Sequence, residues 1–327
     1  MIWLTWRQFR AQALIGLAAL TALTVYLVIV GLQLRHAYDV NVNCADCTLG
    51  AAKEALDIQY HSPLQLVGFL VLLAPAVVGV FWGAPLIARE FETGTHRLVW
   101  NQSVTRTRWL AAKLAVVGFA AVAVTGALSL LLTWAASPYD KLLGGRFDPL
   151  VFPTRNIVPL GYAAFAIVAG ITVGLLAKRT VPAMAVTLAA FAAFQVLVPA
   201  VIRPHLQAPV TDTVVLAADA RVESFHSNKD GVSIGGYDRS LPGAWILSGE
   251  AALLDAAGKR VTRDQIAPCM NGDREKDLAC LAEKNFHFTV TYQPGSRYWT
   301  FQWLELAAYL LLAALLSGLL FWRIRRG

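Results

Sequence analysis

The chain has 327 residues, 57% of them hydrophobic and only 15% charged, with a mean hydropathy of +0.53. That is too apolar for an ordinary soluble domain and calls for membrane integration. The net charge of +7 does not mark a nucleic-acid binder, because the basic residues stand at the ends of apolar runs and form no cluster or aromatic-interleaved patch.

In chain order, residues 1–10 place Ile2, Trp3, Trp6 and Phe9 near one helical face. That pattern suits a short helix lying in the membrane interface, and equally an aromatic belt. Residues 11–34 are uncharged; at ~1.5 Å per residue they cross a ~30 Å hydrocarbon core. The run is too long for a signal-peptide core, and no small-x-small site follows it promptly, so it reads as an uncleaved first span. Four more uncharged runs follow, Ser62–Ala88, Leu114–Tyr139, Asn156–Ala177 and Thr180–Ile202. The last, Leu306–Trp322, falls just short of a crossing, which puts Glu305 near the membrane boundary in the helix's first turn. The expected architecture is an all-α bundle of six spans (11–34, 62–88, 109–139, 156–177, 180–202 and 299–322). Pro75, Pro85, Pro182 and Pro199 lie in or near these runs, as membrane helices tolerate.

Charge sets the orientation. With the N-terminus inside, the cytoplasmic side receives Arg7, Arg10, the basic residues of a loop at 89–108 with its flank to Lys113, Lys178, Arg179, and the tail 323–327; the acids there are Glu90 and Glu92. The short outer loops, 35–61 and 140–155, are instead rich in acids. This is the asymmetry of the positive-inside rule, and it places both termini in the cytoplasm. The outer side also receives 203–298, polar enough to form a small α+β domain. There Phe286–Tyr292 alternates like a strand, Thr213–Leu216 and Ala244–Leu247 do so more weakly, and Asp273–Lys284 reads as a helix with Asn271 or Asp273 as N-cap.

All four cysteines fall on the outer side, where disulfides are the default. Cys269 and Cys280 are expected to close a small loop around NGDREKDLA. Cys44 and Cys47 form a lone CxxC, compatible with a disulfide, a redox pair or half a zinc site; no second CxxC completes a zinc ribbon.

Catalytic signatures are missing. There is no phosphate-cradling Gly-x-x-x-x-Gly-Lys-Ser/Thr loop, no His-Glu-x-x-His and no Gly-x-Ser-x-Gly. Five of the six runs hold no acid or base, so a proton-driven pump would have little to titrate. One polar pair stands out at the start of the last span: Gln302 and Glu305, three apart and so on one helix face. An acid there calls for a partner, Arg155 or Arg203. A structural anchor is the expected role, ahead of substrate contact at an outer gate.

The remaining signal lies between the second and third spans. Arg89-Glu90-Phe91-Glu92-Thr93-Gly94-Thr95, then Gln102-Ser-Val-Thr-Arg106 and Lys113, resemble the second-class ABC-type exporter permeases, which include drug, polysaccharide and lipid exporters akin to the ABCG group. Val104 stands near the proline usual in that pattern. The stretch Tyr292–Glu305 is similar to a subgroup of these permeases from bacteria with GC-rich genomes. The resemblance implies a plasma-membrane half-transporter working as a homo- or heterodimer. Two separate cytoplasmic ATPase subunits would bind ATP and Mg, and this chain would hold no cofactor. It further implies export of a hydrophobic or amphipathic compound (drug, antibiotic, lipid or peptide). On it, Arg89, Glu90, Phe91, Glu92, Gly94, Thr95, His96 and Arg97 form the coupling helix that touches the ATPase, with Glu90 and Glu92 at the contact. The chain itself is then no enzyme. The competing class is a membrane-anchored sensor or assembly protein whose outer domain binds a ligand or partner. Five nearly charge-free spans exceed what an anchor needs.

Overall fold

The computed structural model describes residues 2–42, 48–95, 105–217, 222, 224–228, 231–235 and 243–326. Cys44, Cys47, His96 and Arg97 lie outside the described residues, as do the side chains of Ile2, Trp3, Trp6 and Phe9. Two compact units form: a helical one from 1–143, 148–203 and 300–327, and a sheet domain from 144–147 and 204–299.

Among the described residues six helices are long and apolar enough to cross a membrane. They are α1 (Ile2–Val42); α2 (Leu49–Val78) continued by α3 (Ala84–Glu92); α4 (Arg106–Leu143); α5 (Val158–Ala177); α6 (Thr180–Leu197); and α9 (Tyr298–Arg326). The helices outrun the uncharged runs. Leu49–Glu92 is one helical rod of 44 residues, about 66 Å at ~1.5 Å per residue, so it protrudes well beyond a ~30 Å core. An uncharged run measures the hydrocarbon, whereas the backbone goes on making i→i−4 bonds into water.

Prolines bend this ladder locally. A π turn at Gly79–Gly83 joins α2 to α3, four residues past Pro75 and just before Pro85; a second, Val198–Ile202, contains Pro199. Proline offers no N–H, and a widened i→i+5 turn re-pairs the carbonyls it leaves open.

At the centre stands α5: 72% of its most apolar stretch is buried, against 17% for α6. Glycines let the α2–α3 rod lie directly on it. A Cβ built on Gly170 would stand 2.4 Å from the Gly79 carbonyl oxygen, and one on Gly174 would stand 2.6 Å from that of Ala84. Backbone therefore touches backbone, as small-xxx-small packing in lipid allows. Apolar side chains fill the remainder, with Ile87, Trp109, Leu110, Val117, Ile167 and Ile171 packed at one level, and Leu27, Leu34, Leu56, Val71, Leu128 and Leu132 at the other.

The sheet domain, inserted between α6 and α9, is antiparallel. Its strands are β1 (Val210–Val215), β2 (Ser224–Asn228), β3 (Gly231–Gly235), β4 (Trp245–Ile246), β5 (Glu250–Leu254) and β6 (His287–Gln293). The order is β1-β6-β5-β3-β2, with β4 also on β6. Alternation along β6 sends Phe288, Val290 and Tyr292 into a core with Ile234, Leu253 and Leu281. Two helices cover it, α7 (Arg263–Ile266) and α8 (Arg274–Glu283). The α8 N-cap is Asp273, whose carboxylate accepts from Lys276 N. Cys269 and Cys280 are disulfide-bonded with Cα atoms 5.5 Å apart, stapling α8 to the turn before it. A core this small gains from such a link.

Candidate functional site

The segment α3 ends the α2–α3 rod, and its sequence dictates how. Thr93 N donates to the Arg89 carbonyl at 3.0 Å and Gly94 N to that of Phe91 at 3.3 Å. Gly94 adopts φ +72°, the left-handed stop that favours glycine. The Thr93 hydroxyl adds a bond to the Arg89 carbonyl at 2.8 Å and lies 3.0 Å from the Thr95 hydroxyl.

Both acids of this segment have internal partners, where the sequence reading turned them toward another protein. Glu90 is only 9% exposed. Its Oε1 pairs with Lys113 Nζ of α4 at 2.5 Å. The same ammonium donates to the Leu86 carbonyl at 3.1 Å and stands 4.8 Å from the Trp109 ring centroid. Thus α3 is bolted to α4 by a buried ion pair, of the kind that costs about 3–5 kcal/mol to break from one side. Glu92 is exposed, and its Oε2 accepts from Thr180 N at 3.0 Å and the Thr180 hydroxyl at 2.6 Å. It thereby caps the first turn of α6, whose own N-cap residue Arg179 makes no side-chain capping bond; an anion suits that position. Lys178, at φ +53°, turns the chain from α5 to α6, and its ammonium lies 6.0 Å from the Phe91 ring. One nine-residue helix is therefore tied to three spans. On α3 and the turn after it, Arg89, Glu92, Thr93 and Thr95 are exposed, and of these Arg89 is the cation.

At the other end of the bundle lie Gln302 and Glu305, on one face of α9 and both fully buried. Gln302 Oε1 accepts from Val158 N, and its Nε2 donates to the Phe152 carbonyl, each at 3.2 Å. It thus serves the first turn of α5, where a proline-started helix has open backbone groups. Glu305 is gripped by Arg203, Nε to Oε2 at 2.7 Å and Nη2 to Oε1 at 2.9 Å, and by the Tyr162 hydroxyl, which donates to Oε1. The Arg203 guanidinium stacks 4.2 Å from the Phe152 ring centroid. Tyr309 packs edge-on against Tyr162 and Phe165. The bidentate fork satisfies the carboxylate in a dry site and fastens α9 to α5 and the end of α6. Of the two arginines considered as partners, Arg155 binds Asp140 instead, at 3.1 Å.

Sequence reasoning missed Tyr162, although a lone hydroxyl-bearing aromatic in the apolar run Val158–Ala177 was a usable signal. It also missed Thr180, and it listed Lys113 without seeing that Glu90 was its partner. Among the described residues no group of three His, Cys, Asp or Glu side chains is placed to hold a metal ion.

Residues 17–203 match the model of a family described as ABC-2 membrane transporter related. No curated protein and no solved structure matches the chain.

Proposed function

We propose that this chain, which belongs to the ABC-2 membrane transporter related family, is the permease subunit of an ATP-driven exporter. As a multi-pass membrane transport protein of the ABC-2 type, it would form the substrate pathway as a dimer. Separate ATPase subunits on the cytoplasmic face would drive it, moving a hydrophobic or amphipathic compound across a bacterial plasma membrane. The observation that carries this reading is α3 itself, a short helix at the tip of a membrane-crossing rod, tied by Glu90 to α4 and by Glu92 to the start of α6. A lever held at three points can pass a displacement to several spans without bending. The role of the two acids is then to stiffen the lever, and the partner-facing charge is Arg89.

Affinity purification of the tagged chain from its native cells in mild detergent tests this reading. A soluble ATPase should co-elute near stoichiometry. Arg89→Glu should release it while surface expression persists. The exchange Glu90→Lys with Lys113→Glu, which keeps an internal pair, should retain it. A chain that elutes alone overturns the transporter reading. An ATPase retained by Arg89→Glu but lost in the exchanged pair overturns the assignment of Arg89 as the contact.

A further inference from the structure

Asp57 and His61 lie one turn apart on α2, and Tyr139 meets them from α4. His61 directly precedes the uncharged run Ser62–Ala88, and Tyr139 ends the run Leu114–Tyr139. Neither cluster described above uses them. The i, i+4 spacing turns two side chains of one helix toward a common point, and α4 supplies a third from 78 positions away.

Three donor atoms converge there. His61 Nδ1 lies 3.0 Å from the Tyr139 hydroxyl and 3.2 Å from Asp57 Oδ1, and the Tyr139 hydroxyl donates to that same Oδ1. A tie between α2 and α4 is complete with the Tyr139–Asp57 bond. His61 adds little to it, because an ion pair this open to water is weak, but it brings a nitrogen to the two oxygens. The His61 and Asp57 side chains are 50% and 49% exposed, so a solute ion can reach them. An imidazole nitrogen with carboxylate and phenol oxygens suits zinc or copper, whereas calcium and magnesium take shells of six or more oxygens. At bond lengths of about 2.0–2.2 Å, the ligand atoms of a tetrahedral ion stand about 3.3–3.6 Å apart, so small movements of these side chains admit one. The third ligand is a phenol in place of a third His, Cys, Asp or Glu.

We propose that Asp57, His61 and Tyr139 bind a divalent transition-metal ion, zinc or copper, with water in the remaining position. The ion replaces the phenolic proton. Tyr139 releases H⁺ to solvent and binds as phenolate, Asp57 binds through Oδ1, and neutral His61 binds through Nδ1 with its proton on Nε2. Two anionic oxygens then balance the charge of the ion, which clamps α2 to α4. Binding here is a property of this chain alone and stands apart from the transport reading.

The full chain, purified in dodecyl maltoside on a histidine-free tag and stripped of metal with EDTA, tests the site. It is titrated with zinc by calorimetry and with copper(II) by absorption spectroscopy. One equivalent of zinc per chain is expected, and copper should give a phenolate-to-metal charge-transfer band. His61→Ala and Asp57→Asn should each weaken zinc at least about tenfold, since even groups that only support a metal ligand are worth about 10–100-fold. Tyr139→Phe should remove the copper band. It keeps the ring in place, and the other two variants alter half-exposed side chains, so all three should fold with the parent's circular dichroism. Absence of saturable zinc uptake overturns the site. Zinc held at parental affinity by His61→Ala or Asp57→Asn, as an ion on Cys44 and Cys47 would be, overturns its assignment to these residues. A copper complex without the band, or a band that survives Tyr139→Phe, overturns the phenolate ligand.

Discussion

Replacing Arg203 by methionine removes both nitrogens that hold Glu305 and leaves the Tyr162 hydroxyl as the remaining donor described here. Two scales compete for the cost. A single side-chain hydrogen bond inside a membrane bundle averages about 0.6 kcal/mol, whereas stripping one partner from a buried ion pair costs about 3–5 kcal/mol. Glu305 is 0% exposed and Arg203 2%, so water has no access and the larger scale applies. Glu305→Leu alone strands the guanidinium over Phe152 and carries a similar penalty. The double variant Arg203→Met/Glu305→Leu places two apolar side chains of similar bulk in the same space, and should recover to within about 1 kcal/mol of the parent. The four proteins form a double-mutant cycle with an expected coupling of at least about 2 kcal/mol. Reversible unfolding in mixed micelles by SDS titration, followed by far-ultraviolet circular dichroism, measures it. A coupling below about 0.5 kcal/mol would refute the reasoning, since it would mean that the carboxylate is served by water and that the fork adds little.

Gly170→Ala should lower the thermal midpoint of the purified chain, because the new methyl would stand 2.4 Å from the Gly79 carbonyl oxygen and force α5 away from the α2–α3 rod, an overpacking cost of about 1–3 kcal/mol. Gly118→Ala, whose nearest neighbour is 3.9 Å away, is the control and should melt with the parent. In the sheet domain, the Tyr292 hydroxyl donates to Asp212 Oδ2 at 2.6 Å, and this bond, then burial, raises its pKa above the ordinary value. A group with a raised folded pKa stabilises below its unfolded value, about 10, and that stability is lost as pH rises through the folded one. Thermal melts of the full chain from pH 8 to 11 should show this loss, and Tyr292→Phe should remove that part of the pH dependence.

The six spans were readable because lipid leaves a helix no alternative: each uncharged run had to satisfy its own backbone. The same reading could not say where the helices stop, since Arg35–Val42 and Leu49–His61 are polar enough to look like loops yet helical in the fold. In the sheet domain β6 was readable from its alternation, whereas β5, Glu-Ala-Ala-Leu-Leu, has the composition of a helix. Pairing with β3 on one side and β6 on the other makes it a strand, a case of tertiary context overriding propensity.

The residues at both ends of the bundle were singled out because charges beside apolar runs are costly and therefore informative. Their partners were another matter. Glu90 and Lys113 are 23 positions apart, Glu92 and Thr180 are 88 apart, and Arg203 and Glu305 are 102 apart. Sequence alone determined that these groups had to be stabilised, because a buried charge without a partner is too costly to keep. Only the tertiary structure decided by what. That choice depends on how closely α5 and the α2–α3 rod approach and how each helix is rotated about its axis. Those quantities are set by contacts such as Gly170 on Gly79, made between residues that the sequence holds far apart.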